Sequence, residues 1–133
     1  MTTRDVVVRG GSLEQAFREA ALAVFALAVD VAGVGQADVR EVRAHGPTLE
    51  ALLARWIDEC AYVYEIEGFA CCALEFAVFD VEPKSGGEPM HLHALLRGSE
   101  VDATDSAVRL ALAADRPIRS VAEGYEIRLV ADA

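Results

Sequence analysis

A chain of 133 residues has room for one ordinary domain and excludes two independent hydrophobic cores, so residues 1–133 are interpreted as a single unit. Hydrophobic residues make up 53% of the chain, a proportion that argues against disorder and for a well-filled interior. Twelve basic residues face twenty-two acidic ones, and the net charge of −10 disfavours direct binding of RNA or DNA, which normally uses a basic surface.

The sequence pattern predicts neither a targeting signal nor a membrane segment. The N-terminal residues lack the basic region and apolar core of a signal peptide. The longest apolar run, at residues 20–31, contains Asp30 and is too short to span a bilayer. We therefore expect a cytoplasmic protein without membrane contact.

The first third of the chain predicts a strand followed by a helix. A β-branched run at residues 5–9 ends at two glycines, which is typical of a strand and a turn. Ser12 stands three positions before Gln15, the spacing of a helix capping box. Apolar residues then recur every three or four positions, so the first helix is predicted to run to about Val29, before a glycine-containing loop at residues 31–36.

A second strand and a second helix follow. Residues 39–44 set Val39 and charged neighbours along an extended segment, which suits a half-buried strand, and His45 is assigned to the loop after it. Thr48 is predicted to cap the next helix and Gly68 to end it. An apolar stripe spans more than four turns between these two residues.

The remaining residues predict strands. Residues 69–81 form a long aromatic and β-branched run, and the turn residues at 83–87 predict a hairpin onto residues 90–97. Breakers separate three shorter apolar runs, at residues 108–114, 118–121 and 125–130. The predicted fold class is α+β, with two helices packed on one face of a mostly antiparallel or mixed sheet of about six to seven strands.

The three cysteines, Cys60, Cys71 and Cys72, are predicted to be buried free thiols. An odd number of cysteines without a CxxC spacing predicts neither a disulfide framework nor a zinc knuckle. In a strand, Cys71 and Cys72 would point to opposite faces and would not share one ligand.

Both helical segments and both chain ends resemble the archease family. The segment from Ser12 to Asp30 is similar to the family's first helix, with a small aliphatic seam and a closing aspartate. The more specific match is the order W-I-D-E, then Y-V-Y, then E-G-F, which begins at Trp56 and is similar to the family's second helix and the strand after it. Thr3-Arg4-Asp5 stands where the family has a Thr-Ala-Asp signature, and Ala131-Asp132-Ala133 stands where the family ends in aspartate plus one apolar residue.

The resemblance implies the archease fold and the role of a protein cofactor rather than an enzyme. Archeases assist RtcB-type RNA-splicing ligases, which join 2′,3′-cyclic-phosphate or 3′-phosphate RNA ends to 5′-hydroxyl ends with GTP and a divalent metal, as in tRNA splicing. They promote guanylylation of the ligase and its repeated turnover. Carried over to this chain, the family's acidic metal site would use Asp5, Asp132 and the terminal carboxylate of Ala133, with Asp30 as a further candidate. The resemblance thus implies a bound divalent cation, Ca²⁺ or Mg²⁺.

Elementary electrostatics allows that site only if the two chain ends meet. Two carboxylates that are brought together repel each other unless a cation neutralises them, and hard cations prefer such oxygen ligands. The hypothesis therefore requires the first and last strands to be neighbours. In the alternative interpretation, Asp5 and Asp132 are solvated charges at frayed chain ends.

Departures from the family pattern leave two other functions open. The opening segment lacks the family's histidine, and the strand around Arg109 keeps only that basic residue of a Lys-Ala-x-Thr-Tyr type signature. These losses favour an archease-fold binding or structural module that no longer activates a ligase. The other alternative is a small metal-dependent hydrolase that uses the two aspartates together with His91 and His93.

Two further pairs of polar residues are candidates for chemistry. His91 and His93 would share one face of a strand, a spacing that can hold zinc, but no neighbouring residue completes the three or four ligands that zinc requires. They are therefore interpreted as ordinary strand histidines. Asp58 and Glu59 diverge by about 100° around a helix, so they would not face one substrate. Glu59 is instead predicted to pair with Arg55 at i, i+4.

Overall fold

The computed structural model describes residues 3–28, 33–82, 88–101 and 110–132, with the backbone alone at Thr3 and Asp132. Within those ranges the chain forms two helices and seven strands, which confirms the predicted α+β class. The helices are α1 (Leu13–Ala28) and α2 (Leu49–Glu67). The strands, in chain order, are β1 (Thr3–Gly10), β2 (Asp38–Gly46), β3 (Phe69–Asp80), β4 (Met90–Glu100), β5 (Leu110–Leu112), β6 (Ile118–Val121) and β7 (Gly124–Asp132).

Helix α1 begins where the sequence predicts. The Ser12 hydroxyl accepts a hydrogen bond from the Gln15 N–H at 3.2 Å. The Gln15 side chain accepts one from the Gly11 N–H at 2.8 Å, one residue before the N-cap. These bonds satisfy N–H groups at the helix start that have no helical carbonyl as a partner. The predicted helix end near Val29 falls in residues 29–32, outside the described ranges.

Helix α2 is capped at both ends by the predicted residues. Thr48 is extended (φ −131°, ψ 165°), and its hydroxyl accepts a hydrogen bond from the Ala51 N–H at 3.1 Å. Gly68 adopts the left-handed conformation (φ 66°), and its N–H donates to the Tyr64 carbonyl at 3.1 Å. Glycine reaches that φ without the steric cost of a Cβ. The cap therefore ends the helix one residue before β3 begins.

The seven strands form two antiparallel sheets. β7 is hydrogen-bonded to β1 along one edge, and to β5 and β6 in succession along the other. In the second sheet, β4 lies between β2 and β3. The sequence predicts these strands but groups them in one sheet, because breaker residues mark where a strand ends and do not specify its partner. The division separates the two chain ends, in the first sheet, from the strand histidines, in the second.

The end of β2 differs from the prediction. His45 lies in the strand rather than in a loop, and it pairs with His91 of β4. The strand continues to Gly46, two residues beyond its predicted end. A Cβ at Gly46 would lie 2.6 Å from the backbone nitrogen of Leu52. This glycine is therefore required for the close contact between the end of β2 and the first turn of α2.

Two predicted segments of the second half are described only in part. β5 contains three residues, Leu110–Leu112, of the predicted run at 108–114. Residues 102–109, which include Arg109, lie outside the described ranges. The predicted turn at residues 83–87 also lies outside them, but the antiparallel pairing of β3 with β4 that it predicts is confirmed.

One hydrophobic core joins both helices to both sheets. α1 contacts β1 and β7 of the four-stranded sheet and β3 of the three-stranded sheet, while α2 contacts β5 and all three strands of the second sheet. The buried indole Nε1 of Trp56 in α2 donates a hydrogen bond to the Phe17 carbonyl of α1 at 2.9 Å. The largest fully buried side chains include Trp56, Phe17, Phe25, Phe69, Leu52, Leu53, Ile57, Leu92, Leu96, Ile127 and Leu129.

An irregularity in β3 keeps two of its aromatic side chains in this core. Residues three positions apart in a regular strand face opposite sides. The register with β4 shifts between Phe76 and Val78, so Phe76 and Phe79 both face the helices. The Phe76 ring lies 5.4 Å from Trp56, and the Phe79 ring lies 5.1 Å from Phe17. Regular alternation would have moved one of the two rings out of the core.

The three thiols are free, as predicted, and two of them are fully buried. Burial raises the pKa of the Cys60 thiol well above its ordinary value of 9.0. Burial also raises the pKa of the Cys71 thiol to about 12. Cys72 is half-buried and lies next to Cys71 in β3. Both fully buried thiols are therefore neutral in the folded protein near pH 7.

We expect Cys71 to reduce the stability of the fold at alkaline pH. Its folded-state pKa is raised, so its contribution to stability is complete below about pH 9 and is lost as the pH rises from 9 towards 12. The free energy of unfolding of the wild type should fall relative to that of Cys71→Ala by about 1.4 kcal/mol per pH unit in that range. Urea titrations at pH 7, 9, 10 and 11 measure the difference. A difference that is constant over this range would contradict the assignment.

Candidate cation site at the paired chain ends

The first and last strands of the chain are neighbours, as the sequence hypothesis requires. β1 and β7 pair in antiparallel register along their length, with Thr3 opposite Asp132 and Asp5 opposite Val130. Asp132 therefore occupies the position diagonal to Asp5. Alternate residues of a strand belong to the same face, so both aspartates have register positions on one face of the sheet. Such diagonal positions are about 7–8 Å apart, a span that two aspartates and one bridging cation can fill.

That face is the one turned away from the helices. Val6 and Val8 of β1 pack against the core, while Asp5 and Val7, which alternate with them along the strand, are exposed. Opposite Val6 in β7, Leu129 is fully buried on the side that faces the helices. Asp5 thus meets solvent, where a hydrated divalent cation has access to it.

Glu126, a third carboxylate on the same face, is already occupied by two arginines. Arg9 donates through Nε to Glu126 Oε2 at 3.1 Å, and Arg119 Nη1 lies 3.9 Å from Glu126 Oε1. Only 9% of Glu126 is exposed, so this charge depends on its arginine partners. Its register partner Arg9 lies four residues from Asp5, about 13 Å along the strand. Glu126 is therefore a poor third ligand for a cation at Asp5.

The set of residues that would bind the cation stays a prediction. Asp30 and Ala133 lie outside the described residues, and only the backbone of Asp132 is described. Among the described residues, no three or more His, Cys, Asp or Glu side chains form a group that could hold a metal. The carboxylates of the hypothesis are the ligand type that Ca²⁺ and Mg²⁺ prefer, and the register of the strands fits them.

Comparison with known proteins places the chain in a family. A model of the Archease protein family matches residues 4–132. The chain belongs to the archease family. The resemblance that the helix motif and the chain ends predict is therefore confirmed.

Individual archeases agree with this assignment. The chain is 33% identical over 140 residues to protein archease-like of Drosophila melanogaster, an alignment that covers 98% of this chain and 85% of that protein. It is 35% identical over 102 residues to protein archease of Pyrococcus abyssi, an alignment that covers 75% of this chain and 68% of that protein. The solution structure of Methanobacterium thermoautotrophicum protein 1598 has the same fold, with a TM-score of 0.70 at 20% identity over 100% of this chain and 94% of that one.

The archease helix motif proves to be mainly structural. Trp56 and Tyr64 are buried in the core, and Gly68 is the left-handed cap that ends α2. Asp58, Tyr62 and Glu67 are the exposed residues of the motif, and Tyr62 is 54% exposed. The motif therefore explains why sequence alone identifies the fold, while Tyr62 is its exposed aromatic residue.

The other predicted pairs lie away from the chain ends. Arg55 Nε is 3.4 Å from Glu59 Oε1, so the predicted surface ion pair is confirmed and Glu59 does not form an acid–base pair with Asp58. His91 and His93 share one face of β4, as predicted, but in the other sheet from Asp5.

Neither helix in the described part of the archease chain is long and apolar enough to cross a membrane.

Proposed function

We propose that this archease is an accessory protein of an RtcB-type RNA ligase, and that it promotes guanylylation of the ligase with GTP and repeated rounds of RNA joining. Its role is that of a protein cofactor of an enzyme, in tRNA splicing or a related RNA repair step. The observation that carries the proposal is the family match over residues 4–132, which covers nearly the whole chain. Relatives named archease, aligned over most of their length, support it.

The paired chain ends are the proposed centre of this activity. Asp5 and Asp132 hold a Ca²⁺ or Mg²⁺ ion, with the terminal carboxylate of Ala133 and Asp30 as additional candidate ligands. A cation held there would supply positive charge beside the phosphates of a nucleotide in the ligase. The pairing of β1 with β7 supports this arrangement, because it brings residues 127 positions apart to diagonal positions on one exposed face.

The charge of the chain supports a protein partner rather than direct contact with RNA along a surface. A net charge of −10 opposes the approach of a phosphate backbone.

On α2, Tyr62 and Ile66 are 54% and 65% exposed and stand one turn apart, so they form an apolar patch on an otherwise polar helix face. Exposed aromatic residues of this kind are typical of the centres of protein interfaces.

Mixing the chain with an RtcB-type ligase tests the proposal. We expect the two proteins to elute together from a sizing column. With GTP, a divalent cation and RNA ends in excess, the chain should raise the number of RNA molecules joined per ligase molecule at least about fivefold, within the usual range of coupling between sites. Neither co-elution nor stimulation would contradict the proposal.

The main alternative is distinguishable in the same experiment. The missing histidine of the opening segment and the reduced signature around Arg109 favour a binding module that has lost the activating role. Such a module would elute with the ligase and leave its turnover unchanged. The hydrolase alternative needs the strand histidines at the aspartate pair, and its support is weaker because Asp5 and His91 belong to different sheets.

A further inference from the structure

The outer face of the three-stranded sheet carries a block of four basic side chains. In the register of β2 with β4, His45 is directly opposite His91, and Arg43 is directly opposite His93. Directly opposite residues have Cβ atoms about 4.5–5.5 Å apart, so the four side chains form a compact square. The chain contains only three histidines, and all of them belong to this block.

A groove of about 480 Å³ runs over the block. Five of its eight lining residues are basic and none is acidic, although the chain as a whole carries a net charge of −10. The lining residues are Arg43, Ala44, His45, Arg55, Val78, His91, Leu92 and His93. Its volume lies within the usual range for small-molecule sites. We call this feature the basic groove.

The arrangement brings no evident benefit to the fold. The basic groove contains two cross-strand pairs, His45 with His91 and Arg43 with His93, which become pairs of like charge only when the imidazoles carry a proton, and like charges directly across a sheet destabilise it. Carboxylates around the groove offset this in part. Glu41 Oε1 lies 3.9 Å from His93 Nε2, Arg55 is paired with Glu59, and Asp80 of β3 is in register with His91. Within the described part of the chain, Arg43 forms no ion pair with any of them.

One atom of the block lacks a partner that its burial requires. Nε2 of His93 is buried and, among the described residues, has no hydrogen-bond partner. Buried polar atoms in folded proteins nearly always have one. A metal is not the expected partner. The three histidines share this face, yet no group with metal-binding geometry exists among the described side chains.

We propose that the basic groove binds a phosphate-bearing ligand about the size of a mononucleotide. Arginine presents a planar fork of N–H donors that matches phosphate oxygens, and the imidazole N–H groups add further donors beside it. Val78, which is 40% exposed and in register with His93, provides an apolar contact for the rest of the ligand, and imidazole rings provide surfaces on which a base can stack. This site is separate from the chain ends, so the inference does not depend on the ligase role.

Histidine NMR tests the proposal directly. Because the chain has three histidines and all lie in the groove, every imidazole Cε1–Hε1 signal reports on it. We expect titration with inorganic phosphate to shift all three signals, and sodium chloride at equal ionic strength to leave them unchanged. Arg43→Gln removes an exposed side chain and should weaken phosphate binding about tenfold. Arg18→Gln on α1 is the matched control, and its affinity should equal that of the wild type.

Two further ligands identify the source of the phosphate. If guanosine monophosphate binds more tightly than either guanosine or inorganic phosphate, the natural ligand is a free nucleotide. Tighter binding of an oligonucleotide with a 3′-phosphate than of the same oligonucleotide with a 3′-hydroxyl indicates an RNA end. The proposal is overturned if no phosphate-bearing compound shifts the histidine signals, if Arg43→Gln binds phosphate as the wild type does, or if Zn²⁺ shifts them and phosphate does not.

Discussion

Gly98→Ala is expected to lose about 3 kcal/mol or more of the free energy of unfolding. Gly98 lies in the central strand β4, opposite Cys71 of β3 and Asp38 of β2. A Cβ there would lie 1.8 Å from the carbonyl oxygen of Ala70 and 3.0 Å from the Cα of Cys71. Both obstacles belong to the backbone of a paired strand, so no side-chain rotation relieves the clash. A domain of this size is stable by only about 5–15 kcal/mol, so the loss is a large fraction of the total.

Urea denaturation measures this effect against a matched control. Gly35 lies before β2, and a Cβ added to it would have no heavy atom within 4 Å. Gly35→Ala makes the same chemical change without the clash, so its free energy of unfolding should stay within about 1 kcal/mol of the wild type. If Gly98→Ala and Gly35→Ala unfold at the same urea concentration, the result would contradict the described register of β3 against β4.

The sequence predicts the helices well because their signals are local. Ser12 and Thr48 cap α1 and α2 through bonds to residues three positions later. Gly68 ends α2 for a reason that holds in any context, since the left-handed φ favours glycine. A capping motif and a helical period lie within one turn of the chain, so they can be recognised without knowing the rest of the fold.

Strand pairing is predicted less well because its signals are distant in sequence. The two sheets differ in which strands exchange hydrogen bonds, and alternation within one strand does not specify its neighbour. The sequence also does not predict the register shift between Phe76 and Val78, because the pattern of β3 is that of an ordinary long strand. For the same reason the basic groove could not be found from sequence. His45 and His91 are 46 positions apart in the chain and become neighbours only through the register of β2 with β4.

The candidate cation site was predicted from a family resemblance, and the fold supplies its physical basis. Composition and spacing do not distinguish Asp5 and Asp132 from solvated charges at chain ends. The resemblance adds the expectation that the ends meet, and the pairing of β1 with β7 confirms that these strands are neighbours. The ligand set itself stays a prediction, since Asp30, Ala133 and the side chain of Asp132 lie outside the described residues.

Replacing either Asp5 or Asp132 should weaken cation binding without harming the fold. Asp5→Asn and Asp132→Asn each keep the shape of the side chain and remove one negative charge. Loss of one charged ligand should weaken Ca²⁺ or Mg²⁺ binding at least about tenfold. Without cation the two carboxylates repel each other, so neither variant should unfold more easily than the wild type in chelator. With cation at a hundred times the wild-type dissociation constant, the wild type should gain about 2.7 kcal/mol of stability, whereas a variant that binds tenfold more weakly should gain no more than about 1.4 kcal/mol.

Asp38→Asn is the matched control for these variants. It makes the same chemical change at the start of β2, in the other sheet. Its cation affinity and its stabilisation by cation should equal those of the wild type. Equal cation stabilisation of the wild type and Asp132→Asn would place the binding site elsewhere.

The initial rate of ligase guanylylation with GTP tests most directly whether the paired chain ends activate an RtcB-type ligase. The wild-type chain and Asp38→Asn should raise that rate to the same level. Asp132→Asn should leave it at the rate of the ligase alone, while still eluting with the ligase from a sizing column. Full stimulation by Asp132→Asn, or no stimulation by the wild type, would contradict the account.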